Sequence, residues 1–307
     1  MSSTAPLLVI IGPTASGKTR RAVDVARVLD AEIISGDSRQ VYRGMDLGTG
    51  KDLEEYGDVP YHLIDVAPAG YKYNLYEFLR DYDAAEARVR AAGRMPLLCG
   101  GTGLYVESVL KGIHLPEVPA DPELRARLEG KSLEELTAIL SEMKSLHNTT
   151  DVDTAKRAIR AIEIETFYSH HPDAAAQAAP SPRTDAVVVG VAIDRESRRQ
   201  RISARLQARI EAGMTQEVES LLARGVPPED LMYYGLEYKY VTQYVTGLIT
   251  FQEMHKSLET AIHQFAKRQM TWFRGMERRG RRVHWLAHDM PSQEFVAEVK
   301  RLLDEHA

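Results

Sequence analysis

Leu7-Leu-Val-Ile-Ile-Gly-Pro-Thr-Ala-Ser-Gly-Lys-Thr19 sets the fold. Five apolar residues, Leu7–Ile11, run into a glycine-bounded loop, and helical spacing over Thr19–Leu29 follows. A short, continuously apolar strand of this kind belongs in a sheet covered on both faces. The loop fits G-x-x-x-x-G-K-[ST], in which glycines let the backbone approach a ligand and point successive N–H groups at phosphate oxygens. Gly12, Pro13, Thr14, Ala15, Ser16, Gly17, Lys18 and Thr19 are therefore the expected diphosphate-binding loop. Lys18 would neutralise phosphate charge, and the Thr19 hydroxyl is placed to ligate Mg²⁺.

Outward from this unit, the pattern of strand and helix repeats. Glu32–Ser35 stops at Gly36-Asp37-Ser38, Tyr61–Val66 is a third strand candidate, and Met95–Cys99 stops at Gly100-Gly101-Thr102-Gly103. Asn74 can cap a helix over Leu75–Ala92. Ala186–Ile193 returns as a core strand, Val283–Leu286 is a last short one, and a box at Thr250 and Glu253 opens a long helix. The expected class is α/β, a mostly parallel sheet like that of the P-loop nucleoside triphosphate hydrolases. In such a sheet the carboxyl ends of strands converge on the ligand crevice. Asp37 and Thr102 should thus face the phosphate loop, although a turn or cap role would suit either. Prolines 116, 119 and 122 open a helical stretch, with a capping box at Ser132 and Glu135. Prolines 172, 180 and 182 close it around Ala174–Ala179, and His170-His171 beside proline reads as a loop. Residues 114–184 are read as a helical insertion, and 1–113 plus 185–307 as the catalytic core.

The 307 residues are 44% hydrophobic, 27% charged and net −5, which suits a globular enzyme and argues weakly against a nucleic-acid partner. The distribution reverses that impression. Residues 267–282 carry net +6, residues 195–209 net +5, and Lys156, Arg157 and Arg160 add +3. Three basic stretches on a globally acidic chain suit a polyanionic partner better than chance solvated faces. The single cysteine, Cys99, excludes a disulfide framework and a cysteine-based zinc cluster. No apolar run reaches membrane-spanning length, and the first residues lack the pattern of a signal peptide, so a cytoplasmic location is expected.

A phosphate loop implies a diphosphate, not phosphoryl transfer. A kinase should add an apolar strand ending in a metal-binding Asp and a γ-phosphate contact, and no residue offers the latter. The chain instead resembles the tRNA dimethylallyltransferases, along nearly its whole length and in order. The resemblance is carried by GPTASGKT (12–19), DSRQVYRGMDLGTGK (37–51), PLLCGGTGLY (96–105), ADPELRARL (120–128), KRAIRAIEI (156–164), RISARLQARIEAGMTQEV (201–218) and AKRQMTWFRG (266–275). It implies prenyl transfer from dimethylallyl diphosphate to the N6 of the adenosine 3′-adjacent to the anticodon, with Mg²⁺, by a monomer. In it Asp37 takes the proton of, or a hydrogen bond from, the adenine amine, Thr102 lines the channel where the substrates meet, and Lys18 holds diphosphate. Arg201 and Arg205, one helical turn apart, are both candidates for the diphosphate; the resemblance favours Arg205. Asp37, Ser38, Arg39 and Gln40 would contact the target nucleotide, with Thr102 and Arg125 near it. Lys156, Arg157, Ala158, Ile159 and Arg160 would lie against the anticodon stem-loop, as would Lys267, Arg268, Gln269 and Arg274. Trp272-Phe273 reads as a core pair.

The chain departs from the family pattern in two loops. Gly48-Thr49-Gly50-Lys51-Asp52 stands where the family usually has GTAKP, and Gly235-Leu236-Glu237-Tyr238-Lys239 where many members have Gly-Tyr-[Arg/Lys]. The insertion is also short. Two competing functions share the phosphate loop: a relative that prenylates free adenine nucleotides, which has no use for the basic stretches, and a small-molecule kinase. A third, a non-catalytic RNA binder, leaves Lys18, Thr19 and Asp37 without a task.

Overall fold

A computed structural model describes residues 5–146 and 150–306. In chain order its elements are β1 (Leu7–Ile11), α1 (Lys18–Leu29), β2 (Ala31–Ser35), β3 (Tyr61–His62), α2 (Leu75–Ala91), β4 (Met95–Gly100) and α3 (Gly103–Leu110). Four helices follow: α4 (Pro122–Leu128), α5 (Leu133–Met143), α6 (Ala155–His170) and α7 (Pro172–Gln177). Then come β5 (Ala186–Ala192), α8 (Arg195–Glu211), α9 (Met214–Ala223), α10 (Pro228–Tyr233), α11 (Leu236–Val245), α12 (Phe251–Arg278), β6 (His284–Ala287) and α13 (Ser292–Asp304).

The six strands form one parallel sheet in the order β3-β2-β4-β1-β5-β6, with Val9 opposite Leu98 on one side and Val188 on the other. β1 is central and every one of its residues is buried, which is why it reads as an unbroken apolar run. Because all strands are parallel, the loops after β1, β4 and β2 leave the same edge of the sheet side by side. Two glycines bring the latter two together. A Cβ at Gly100 would sit 2.3 Å from the Gly36 carbonyl oxygen, so only a bare backbone fits there. Gly36 N donates to Cys99 O at 2.8 Å across that contact.

Chain contacts divide the molecule into two compact units, 1–111 with 183–307, and 112–182. The boundaries fall two residues before those expected from the prolines. The inserted unit has its own core, where Leu124, Leu128, Leu136, Leu140, Ala158, Ala161 and Ile162 pack together. The capping boxes at Asn74, Ser132 and Thr250 are all formed. No helix among the described residues is long and apolar enough to cross a membrane.

Three local readings change. The strand expected over Tyr61–Val66 ends at His62, because Leu63 and Asp65 take left-handed backbone (φ 62° and 58°) that no strand can carry. Of His170-His171, read as a loop, His170 instead closes α6, while His171 is the single-residue joint, its ring stacked on Phe167 at 4.0 Å, before Pro172 starts α7, which takes up most of the alanine run. The Trp272-Phe273 pair is split, Phe273 fully buried and Trp272 40% exposed.

Candidate active site

The phosphate loop is shaped by two residues of positive φ, Ala15 (62°) and Gly17 (83°), and by a turn in which Ser16 N donates to Pro13 O at 3.2 Å. α1 starts at Lys18 with no acidic residue in its first turn, so the positive end of the helix is not offset. The Ser16 hydroxyl is buried and has no protein partner. Burial pushes the Lys18 amine down from its ordinary value, while the Asp37 carboxylate nearby opposes that shift.

Asp37 and Thr102 are tied to each other through Ser38. Thr102 Oγ1 accepts the Ser38 N–H at 3.0 Å and lies 3.3 Å from the Ser38 hydroxyl. Asp37 Oδ1 accepts the Arg39 N–H at 3.0 Å, a local turn that orients the carboxylate. Gln269 on α12 joins the two loops from above: its Oε1 accepts Thr14 N–H at 2.8 Å and its Nε2 donates to Gly101 O at 2.9 Å.

Lys18, Asp37, Ser38, Thr102 and Gln269 line one cavity of about 870 Å³, whereas Gly12, Pro13 and Ser16 of the expected loop are buried and do not line it. Lys18, Arg39, Arg201, Arg205, Arg209 and Arg268 supply its cationic groups, Asp37, Asp52, Glu55 and Glu237 its carboxylates, and Leu104, Ile262, Phe265 and Trp272 an apolar wall. α8 carries the three arginines at intervals of four, on one face. Arg201 reaches the phosphate loop, its Nη2 3.3 Å from where a Cβ on Gly17 would lie. Such a mixture can hold a compound that is anionic at one end and hydrocarbon at the other.

The expected site residues separate into three groups. Thr14, Ala15, Gly17, Lys18, Thr19, Asp37, Ser38, Arg39, Thr102, Arg201, Arg205 and Arg268 line the cavity. Gln40 and Gln269 also do, but their amides are spent inside the protein, Gln40 on Ser35 and Gly50 and Gln269 as above, so neither is a free reader of bases. Lys267 and Arg274 are exposed on α12. Arg125, Lys156, Arg157, Ala158, Ile159 and Arg160 belong to the inserted unit. There Arg125 forms a fork on Glu163, with both bonds at 2.9 Å, and Arg160 pairs with the same carboxylate. Ala158 is fully buried, so its side chain is not available to a ligand. Sequence reasoning missed Arg209, Asp52, Glu55, Glu237 and the apolar wall. Arg209 was legible in principle, one further turn along the stripe that holds Arg201 and Arg205.

A family model described as IPP transferase matches residues 40–276, and one described as isopentenyl transferase matches residues 5–56. The chain belongs to the IPP transferase family. Among IPP transferases, "tRNA dimethylallyltransferase 2" of Bacteroides fragilis is 58% identical over 303 residues, 97% of this chain and 98% of that one. The solved tRNA isopentenylpyrophosphate transferase of Bacillus halodurans superposes with TM-score 0.72 at 31% identity, covering 98% of both chains. A eukaryotic dimethylallyltransferase acting on tRNA shares the fold, with TM-score 0.82 at 20% identity over 97% of this chain and 79% of that one.

In this IPP transferase the Gly48–Asp52 segment is built from both sides. Glu217 on α9 accepts the N–H groups of Asp46, Leu47 and Gly48, at 2.8, 2.8 and 3.1 Å, and also the Tyr238 hydroxyl. Lys51 turns inward, fully buried, and donates to Tyr42 O at 2.7 Å and to the carboxylates of Asp46 and Asp65. Asp52 points the other way, to Arg205 and Arg209.

Proposed function

We propose that the chain transfers a dimethylallyl group from dimethylallyl diphosphate to N6 of the adenosine 3′-adjacent to the anticodon in tRNA, releasing diphosphate. The observation that carries this reading is the convergence, on one cavity with an apolar wall, of the phosphate loop, the α8 arginines and the linked pair Asp37 and Thr102. N6 attacks the allylic carbon, the C–O bond breaks, and its electron pair leaves on the diphosphate. Lys18, the loop N–H groups and Arg201 or Arg205 stabilise that developing charge, and Asp37 receives the proton that N6 loses. Leu104, Ile262, Phe265 and Trp272 give the dimethylallyl group an apolar surface to lie against.

Magnesium takes hard oxygen ligands and keeps several of its own waters or substrate oxygens. Thr19 lines the cavity and the Ser16 hydroxyl beside it lacks a partner, so the loop suits a magnesium diphosphate held mainly through the substrate. Bound there, the ion would neutralise charge on the leaving group. No cluster of three His, Cys, Asp or Glu side chains that could hold a metal occurs among the described residues, which suits the same arrangement.

The polymer is read through cationic side chains. Arg268 at the cavity, Lys267 and Arg274 on α12, and Lys156 and Arg157 on α6 offer phosphate contacts. The target base must leave its stack to reach Asp37. With this reading goes a monomeric, cytoplasmic enzyme. The test is incubation of the protein, Mg²⁺ and radiolabelled dimethylallyl diphosphate with an unmodified anticodon stem-loop, adenosine monophosphate or ATP. Label on the RNA is expected. Label on the mononucleotide alone would reassign the chain to free-nucleotide prenylation, and ATP turnover without transfer would leave a kinase.

A further inference from the structure

The Gly48–Asp52 segment ends in a carboxylate that the proposed reaction does not use. Asp52 Oδ2 lies 2.5 Å from Arg205 Nη2, and Oδ1 lies 3.4 Å from Arg209 Nη2. We infer that Asp52 is the resident counter-ion of Arg205, that incoming diphosphate takes over that pairing while the Asp52 carboxylate stays in the cavity, and that Asp52 thereby sets how loosely the enzyme holds diphosphate. The inference rests on the proposed function, in which an α8 arginine takes the diphosphate.

Three observations carry it. First, Asp52 is held in place rather than free to swing. It opens a tight turn in which Glu55 N donates to Asp52 O at 2.9 Å, and its neighbour Lys51 is fully buried on Asp46, Asp65 and Tyr42 O. Second, Asp52 faces the cavity that holds Lys18 and the phosphate loop, so it competes with a bound anion for the same guanidinium. Third, among the described residues Asp52 is the one carboxylate bonded directly to Arg205, whose other hydrogen bond goes to Gly50 O at 3.4 Å; Glu55 and Glu237 act on it only through the field of the cavity, and Arg209 is nearly enclosed.

A guanidinium already paired with a carboxylate gives an arriving diphosphate only the difference between two anions. The Asp52 charge, left inside the cavity, also repels the diphosphate oxygens. Both effects weaken substrate and product together, and product release gains from that.

The test is calorimetric titration of inorganic diphosphate, at fixed Mg²⁺, into wild type, Asp52→Asn, Arg205→Gln and the double variant. Asparagine accepts the left-handed backbone of Asp52 (φ 47°) and keeps its shape without the charge. Asp52→Asn should bind diphosphate about tenfold more tightly, a scale set by one partly buried charge pair. In the Arg205→Gln background the gain should disappear. Unchanged or weaker binding in Asp52→Asn, as a metal-ligating or positioning carboxylate would give, overturns the inference. So does a gain that survives in the double variant, which would mean a general field. Asp52→Gly, which tolerates the same backbone, must tighten binding as well. A wild type that binds no diphosphate overturns the proposed function along with this inference, whereas a wild type that binds, with no tightening in the variants, overturns this inference alone.

Discussion

Asp37 is oriented by its own loop, since one carboxylate oxygen accepts the Arg39 N–H and Ser38 ties the loop to Thr102. Asp37→Asn retains an oxygen for that turn and removes only the charge. Single-turnover prenyl transfer should fall by about 10²–10⁴, the range for a lost general base, while calorimetric diphosphate affinity is unchanged. Equal loss of both would place Asp37 in binding instead. This residue was legible because its position follows from local rules: an apolar strand, a glycine, and a polar residue at the carboxyl end. Gln269 was not legible as a clamp. Its two partners lie 255 and 168 residues away, and within its own helix it reads only as one polar residue among basic ones. Arg125 shows the converse, a basic residue in a family motif whose charge is already committed to Glu163.

Helix ends were readable wherever the cap is local. Asn74, Ser132 and Thr250 each satisfy the first free N–H groups of a helix with a reciprocal Glu three residues on, and nothing distant is needed. β3 shows the limit, because nothing in Tyr61–Val66 announces the left-handed backbone that Leu63 and Asp65 adopt. α9 acts at this scale through Glu217, whose carboxylate gathers three consecutive N–H groups and the Tyr238 hydroxyl. Glu217→Ala should cost about 2–3 kcal/mol in urea unfolding, since those donors lose an ionised acceptor. Hydrogen exchange at residues 46–48 should speed up more than exchange in the sheet. Glu217→Gln should fall between. Exchange that rises uniformly across the core would show that Glu217 supports the fold and not this loop.

At the scale of the whole molecule, the prolines marked an inserted unit to within two residues, because a stretch with its own helices and its own apolar stripe needs only itself for a core. Its stability should depend on pH through Glu163. Burial pushes this carboxyl up, but hydrogen bonds from Arg125, the Asp121 backbone and Arg160 outweigh that and hold it at about 2, against an ordinary 4.5. A folded value below the unfolded one stabilises above pH 4.5 and is lost as pH falls toward 2. The contribution is at most about 3 kcal/mol, less with solvent screening around the half-exposed arginines. Amide protection in α4 and α6 should therefore fall across that interval in wild type. In Glu163→Gln it should start lower and stay flat; a wild-type profile without this drop would remove Glu163 as its origin.

The central position of β1 also bears on how the chain is made. β1 leaves the ribosome before either of its partners, β4 on one side and β5 on the other, and the β5 residues lie beyond the whole insertion. Until residue 190 is available, β1 has an open hydrogen-bonding edge, which is the state most exposed to wrong pairing. The inserted unit, closed on its own contacts, can settle in the meantime. The cavity waits longer still, because Gln269 and Trp272 are supplied by α12. A nascent chain therefore carries the complete phosphate loop sequence for most of its synthesis with no finished pocket around it.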